Sequence, residues 1–473
     1  MFFSSGKPAE PSFTDIVRAP IARKTKADLW LRYYHDAQSD ELFRLIKARW
    51  SKPEDFRLFG INVVKKIVNR RATCYAAPPV RTFKGMDQNT GEAIYQALNA
   101  NVVLKQASRL TKLLKTTALQ VGWSGNGPTL SVATPNILDV LFEEPEHPTR
   151  VIVTRLGYDL AGRFSTALTS YSDWTDTAYF RRDYSGRPVP VEGNPNGVNP
   201  YGVLPFVPLF DRAPDNPSLF FLPGGDDLIE AQSAINAALA NLWRAIELQS
   251  HGQAWASGVP AGDAIRVGPD RAVTLPENGK FGFAAPNSPI LDTLKALEFL
   301  IKQTAVANDL AANVFEISPA AESGAAKALE HKDLQEARRD DQELWRTYEA
   351  RLFDIVKTVV NTHQPGTIPA NATVSVDFAE ISESLVERDR LECYQRRIDM
   401  GIWSPVDCLI NDNPDVRDRT EALAELTRRR EETASLGIGF TGPSFNPTDP
   451  ANPGGDPALT AKNPIHTNGM LKP

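Results

Sequence analysis

The chain has 473 residues, with 42% apolar and 23% charged residues, an ordinary globular mix that excludes a largely disordered polypeptide. Its length sets a prior of about three domains and suffices to bury sizeable cores without covalent staples. The formal charge of −6 excludes a protein that works by coating nucleic acid with a broadly basic surface.

Three scattered cysteines, Cys74, Cys393 and Cys408, do not make a disulfide framework and point to a reducing compartment. The six histidines are widely spaced, so no metal cluster is expected. No apolar run reaches the roughly 20 residues of a membrane span, and the best candidate, residues 201–210, is broken by prolines. The start of the chain lacks the basic-then-apolar layout of a signal peptide. A soluble protein made inside a cell is expected.

Enzyme signatures are missing. There is no phosphate-cradling G-x-x-x-x-G-K-[ST] segment, and Gly122-Trp123-Ser124-Gly125 has the wrong spacing for a nucleophile elbow. Neither H-x-x-x-H nor C-x-x-C occurs. Adjacent acids such as Asp226-Asp227 and Asp340-Asp341 point about 100° apart on a helix and read as solvated positions. No catalytic residue, metal or cofactor is expected.

In chain order, residues 1–25 carry Pro8, Pro11 and Pro20 beside Arg18, Arg23, Lys24 and Lys26, which suggests an arm ordered against a partner. Helical spacing follows over 28–50, through Leu29, Tyr33, Leu42, Leu45, Ile46 and Trp50, and again over 59–75, stopped by Pro78-Pro79. Residues 93–121 form one amphipathic pattern, with Ile94, Leu98, Val103, Ala107, Leu110, Leu114 and Ala118 in a stripe. Lys105, Arg109, Lys112 and Lys115 recur on another face, either as a phosphate contact or as a solvated surface. From 122 to 208 the pattern changes to short strands at 129–133, 151–156, 163–172 and 178–180, between turns such as Asn194-Pro195-Asn196-Gly197.

The second half is mainly helical. Pro223-Gly224-Gly225 leads into a helix over 226–251 with Asp226 as expected N-cap, and its alanines permit close helix–helix approach. A β-like insert spans 256–289, with strands at 264–267, 271–275 and 280–284. Helix resumes over 290–310, then a loop of small and apolar residues, 311–324, then the longest helix, 325–362. The first half of that helix is highly charged, so it faces either water or charges of other subunits. One strand (373–378), helices at 382–400, 404–410 and 415–432, and a Pro/Gly/Asn/Thr-rich tail from 435 close the chain. The fold class expected is α+β, mainly helical.

Four segments, in order, carry a family resemblance. They are Asn62-Val63-Val64-Lys65-Lys66-Ile67-Val68-Asn69 leading to Pro78-Pro79, Asn199-Pro200-Tyr201-Gly202-Val203-Leu204-Pro205-Phe206-Val207-Pro208, Ala321-Glu322-Ser323-Gly324-Ala325-Ala326-Lys327-Ala328-Leu329, and Met400-Gly401-Ile402-Trp403-Ser404-Pro405 followed by Asn413-Pro414-Asp415. Together with the element order, they resemble the portal proteins of tailed bacteriophages, in the SPP1-type and HK97-type group. The resemblance implies a ring, usually a dodecamer, at one capsid vertex of the virion, assembled in the host cytoplasm. Double-stranded DNA would be packaged and ejected through its axial channel.

By that resemblance residues 1–25 are an arm, 26–225 the wing, 226–255 the first stem helix, 256–289 the clip, 290–310 the second stem helix, 311–324 the tunnel loop, 325–369 the long wing helix, 370–434 the crown and 435–473 a flexible tail. The implied channel residues are Asn313, Val314, Phe315, Glu316, Ile317, Ser318 and Lys327. The implied docking residues of the clip are Arg266, Asp270, Arg271, Glu277 and Lys280. The implied partners are further copies of the chain, the large terminase, a head–tail adaptor, and the major capsid protein or scaffold, with no membrane.

The tunnel loop holds Glu316 and Glu322 and no Lys or Arg, a departure that argues against a DNA-gripping loop. An acidic wall suits sliding, because every neutralised phosphate adds binding that must be undone. Low affinity for free DNA is therefore expected, with contacts from Val314, Phe315, Ile317 and Lys327. Val314-Phe315-Glu316-Ile317 reads equally as a buried turn, and the insert could be a structural hairpin with no partner. Two other readings remain at this stage: a scaffold or head–tail adaptor without a channel, and a nucleic-acid enzyme whose catalytic acids go unrecognised.

Overall fold

A computed structural model describes residues 12–125, 127–250, 253–258, 275, 277–284, 290–315, 332–379, 387–413, 416 and 418–435. The chain divides into two compact units after residue 383.

The first unit opens with helices α1 (Phe13–Arg18), α2 (Ile21–Tyr34), α3 (Ser39–Arg49) and α4 (Val63–Arg71). The segment expected as an arm ordered against a partner is helical over 13–18 and from 21, and its Val17 is buried against Ile152 and Tyr171 of the same unit. Two of its cations are neutralised within the unit: Arg23 and Lys24 reach the buried Asp139 carboxylate at 2.5 and 2.6 Å. The single helix expected over 28–50 is two, broken at Asp36 with φ of 62°.

Strand β1 (Val80–Lys84) precedes α5 (Gln88–Ala97) and α6 (Ala100–Leu114). Here the pattern expected as one helix over 93–121 is two helices and a strand. Asn99 (φ 49°) and Lys115 (φ 66°) take left-handed conformations, which end a right-handed helix. The β-branched Thr116 and Thr117 then begin β2 (Thr116–Ser124).

Strands β3 (Gly127–Ala133), β4 (Leu138–Glu144), β5 (His147–Arg155), β6 (Ser170–Thr175), β7 (Tyr179–Asp183), β8 (Pro188–Val189) and β9 (Phe206–Phe210) follow. They form two antiparallel sheets, ordered β3-β2-β9 and β4-β5-β6-β7-β8. The expected strand over 163–172 is confined to 170–175. β9 is buried at every position, so it reads as a continuous apolar run without alternation.

Next come α7 (Asp226–Ser250), a hairpin of β10 (Gln253–Ser257) and β11 (Lys280–Ala284), α8 (Ile290–Val306), a 3-10 turn (Ala312–Phe315), the long α9 (Lys332–His363) and β12 (Thr373–Asp377). Asp226 is the first residue of α7 rather than the residue before it. The expected insert strands at 264–267 and 271–275 lie outside the described residues.

β12 pairs antiparallel with β1. Residues 373–377 therefore belong to the first unit, although the resemblance places them in the crown. Buried Trp345, Tyr348, Leu352, Phe353, Val356, Val359 and Val360 recur along α9 at helical spacing and pack against α5, α6, β2, β9 and β12. A second core joins α2, α4, α6, α7 and α8, and a third fills the space around Trp174, Phe206, Phe210 and Phe220.

The second unit contains α10 (Glu387–Asp399), α11 (Pro405–Asp412) and α12 (Arg419–Ser435). Ser404 and Asp407 form a reciprocal capping box at the start of α11. Leu409, Val416 and Ala422 make a small core. The expected tail lies outside the described residues beyond Ser435.

Candidate functional site

The site expected from the sequence lies along the α7–α8 pair, with the hairpin at one end and the loop root at the other. α7 buries Leu228, Ile229, Ile235 and Leu242, and α8 buries Leu297, Thr304 and Ala305. The small Ala238 packs against the core that α7 shares with α8, while Ala240 packs against Leu42 and Ile46 of α3. Seventeen residues make α8 about 25 Å long.

The opposite face of α8 is mixed, with Asp292, Lys295 and Glu298 exposed among large apolar side chains. Leu291, Phe299 and Val306 are 72%, 64% and 51% exposed, and Leu294 is exposed beside them. A surface helix normally turns charged residues to water, and α8 does so while also leaving these four large apolar side chains exposed. On the hairpin, Trp255 lies across Gly282, where an added Cβ would sit 3.0 Å from the indole. Nearly half of that indole-bearing residue remains open to solvent.

At the other end, the chain leaving α8 turns at Asp309 in a left-handed conformation (φ 58°) and enters the 3-10 turn. α4 holds this root. Lys66 Nζ donates to the Val314 carbonyl at 2.8 Å and stands 4.3 Å from the Phe315 ring centroid. Arg71 donates to Asp309 Oδ2 at 3.0 Å and to Asn308 Oδ1 at 3.4 Å. α4 is in turn tied to α7. The fully buried Gln232 accepts from the free N–H groups of Val63 and Val64 at 2.7 and 3.1 Å, satisfying donors that a helix start leaves open.

Beside the root lies a cavity of about 820 Å³, lined in part by Arg71, Lys112, Lys115, Asp211, Asp227 and Asp341. Lys112 Nζ sits 2.9 Å from Asp211 and 2.7 Å from Asp341, and Lys115 Nζ sits 2.8 Å from Asp211. Burial would lower Lys112, but its two carboxylates outweigh that and raise it. Burial would raise Asp211, but Lys112 and Lys115 outweigh it and hold the carboxyl below its ordinary value. Asp341 is raised by burial, which Lys112 offsets only in part. Half of the cation stripe of α6 is thus spent inside the fold.

The expected channel residues divide accordingly. Asn313 stands in the 3-10 turn, and Val314 and Phe315 are half-buried against the α2–α4–α7–α8 core, which is the buried-turn alternative for these two residues. Glu316, Ile317, Ser318 and Lys327 lie outside the described residues, as do Arg266, Asp270 and Arg271 of the clip. Glu277 and Lys280 are exposed near the hairpin, with Lys280 paired to Ser257 in the ladder. Loop root and hairpin belong to opposite ends of α8, so the two groups do not form one site. The anchoring pair Lys66 and Arg71 escapes a reading of the loop alone, because both lie more than two hundred residues upstream. Among the described residues no group of His, Cys, Asp or Glu could hold a metal, and no helix is long and apolar enough to cross a membrane.

No family model matches the chain, and no curated protein matches it. Solved structures do. The chain is similar to one in the virion of a native gene transfer agent particle, at 12% identity over 79% of this chain and 92% of that chain, TM-score 0.40. It is similar to one in the neck of the empty particle, computed with C6 symmetry, at 14% identity over 79% and 92%, TM-score 0.41. It is similar as well to one in the neck of the native particle, computed with C12 symmetry, at 14% identity over 78% and 91%, TM-score 0.39. Likenesses at these TM-scores carry no argument about what this chain does.

Proposed function

We propose that the chain is a portal-type subunit. In this reading, copies assemble into a ring at one capsid vertex, and double-stranded DNA is packaged and ejected through the axial channel. The observation that carries the reading is the set of large apolar side chains that α8 leaves exposed among its charges. One face closes the protomer core, while Leu291, Leu294, Phe299 and Val306 remain exposed on the other. Several large apolar side chains exposed on one helix suit a protein neighbour, and identical neighbours in a closed ring satisfy every copy alike. The order helix, hairpin, helix, 3-10 turn and long helix supports the same reading, as do the four sequence segments that resemble portals.

The hairpin would serve as the clip, docking the terminase motor and later the head–tail adaptor, with Trp255 as its apolar anchor. The charge of −6 per chain, repeated around a ring, suits a channel that does not hold DNA tightly. The reading assigns no catalysis and no cofactor to this chain, since ATP hydrolysis would belong to the motor.

Native mass spectrometry with negative-stain class averages tests it. A ring of about a dozen subunits with a central hole is expected. A protein that stays monomeric with capsid components present would return the assignment to a scaffold or head–tail adaptor.

A further inference from the structure

α4 and α6 pack against each other, and neither contains an acidic residue: their sequences are VVKKIVNRR and ANVVLKQASRLTKLL. Arg71 and Lys112 are consumed in ion pairs with Asp309, Asp211 and Asp341. The remaining cations, Lys65, Lys66, Arg70, Lys105 and Arg109, have no carboxylate partner among the described residues. On α4 the buried face is Val63, Val64, Ile67 and Val68, so Lys65, Lys66 and Arg70 share the exposed one.

Lys66 and Arg70 stand one turn apart, a like-charge spacing that destabilises a helix. Burial and the Arg70 charge both push Lys66 below its ordinary value. Arg109 continues the field on α6. Its Nε is buried without a hydrogen-bond partner among the described residues. Its charge pulls down the Tyr34 hydroxyl, which burial raises, and that hydroxyl donates to Asn69 of α4 at 2.8 Å.

Elsewhere the chain neutralises clustered cations. On α12, Arg428 and Arg429 are held by Glu425, and Arg428 also by Glu432, at 2.7–2.9 Å. Lys66 serves the fold at Val314, but five cations without carboxylate partners on two adjoining helices of a chain whose sum is −6 suit an anionic ligand with repeated charges.

We propose that α4 and α6 contact the phosphate backbone of nucleic acid through the exposed Lys65, Lys66 and Arg70 and the half-buried Lys105 and Arg109. Lys66 and Arg70 are about 6 Å apart along the helix axis, close to two phosphate steps of about 3.4 Å on one strand. The contact carries no base readout. It lies beside the 3-10 turn that Lys66 holds. The choice of duplex DNA as the ligand rests on the portal reading, while the cation field does not.

The test uses the full-length protein and a short labelled duplex, with affinity measured between about 50 and 200 mM salt. The double variant Lys65→Gln/Arg70→Gln leaves Lys66 on Val314 and keeps the loop root tethered. A control, Lys47→Gln/Arg49→Gln, removes two exposed cations of α3. The salt slope is expected to fall by about 0.9 for each contacting cation lost in the α4 variant, and to stay unchanged in the control. Equal slopes in both variants would overturn the proposal, and so would no measurable binding by the unaltered protein at the lowest salt. Competition by polyglutamate as effective as by DNA would overturn it in favour of an acidic protein surface. Native mass spectra of the same samples separate this proposal from the portal reading. Rings with an unchanged slope remove only the DNA contact, whereas a lowered slope without rings retains the contact and removes the channel.

Discussion

Glu349 is 0% exposed in the middle of α9, and a carboxylate at such a depth costs several kcal/mol unless it is paired and hydrogen-bonded. Arg81 meets it with two bonds, Nε to Oε2 at 2.6 Å and Nη2 to Oε1 at 2.9 Å, and the Tyr75 hydroxyl donates to Oε1 at 2.8 Å. Burial, reinforced by Glu349, holds the Tyr75 hydroxyl well above its ordinary value. Truncating one partner strands the other, so Arg81→Met is expected to cost about 3 kcal/mol, and Arg81→Met/Glu349→Leu to recover most of it. Urea unfolding followed by tryptophan fluorescence measures both. The Lys112 cluster makes a different prediction. Asp211 is held below its ordinary value by Lys112 and Lys115 against its burial, so its contribution is present above the unfolded value of about 4 and is lost as pH falls through the lower folded value. Asp341 is raised by burial, so protonation at mildly acidic pH relieves it rather than costing stability. Asp211→Asn should therefore destabilise by about 3 kcal/mol at neutral pH, and Asp341→Asn by much less. The gap between them should narrow below about pH 4. Equal losses at neutral pH would mean that the two carboxylates share Lys112 evenly.

At the scale of elements, the junction of α5 and α6 shows where a helical pattern misleads. Apolar residues keep helical spacing from Ile94 to Ala118, but Asn99 is left-handed and its side chain makes no cap bond. A β-branched residue tolerates that conformation poorly. Asn99→Val is expected to cost about 1–2 kcal/mol, and Asn99→Gly to be near neutral, because relief of the left-handed conformation offsets the entropy that glycine adds to the unfolded chain, in thermal melts of the full chain. Elements whose cause is local were legible. α7 is bounded by Pro223-Gly224-Gly225 and the stop after Ser250, β11 was expected at its observed limits, and the C-terminal end of α9 was expected within a residue. Elements whose cause is distant were not. β1 follows Pro78-Pro79 and is a strand because β12 pairs with it. β4 gains its place from β5 and from Arg23 and Lys24 on the buried Asp139. The site divides in the same way. The order of hairpin, helix and loop can be read from composition, whereas the grip of Lys66 on Val314 cannot, since nothing near either residue announces the other.

At the scale of the whole molecule, the two faces of α8 offer opposite outcomes for one kind of substitution. Leu297 is buried against α7, so Leu297→Glu places a charge in the core and should unfold the protomer. Leu291 and Phe299 are exposed, so Leu291→Glu/Phe299→Glu costs the isolated protomer little. If the outer face is where neighbours meet, the double variant loses its ring because each interface would bury carboxylates without partners. The expected result is a monomer in native mass spectra with a thermal midpoint close to that of the unaltered monomer. Trp255 supplies an internal control. The hairpin lies at the end of the pair, so its fluorescence should not change in the variant unless the hairpin also needs a neighbour. Rings that persist in the double variant would show that subunits meet through other faces. The exposed apolar residues of α8 would then need a different occupant, and the portal reading would lose the observation that carries it.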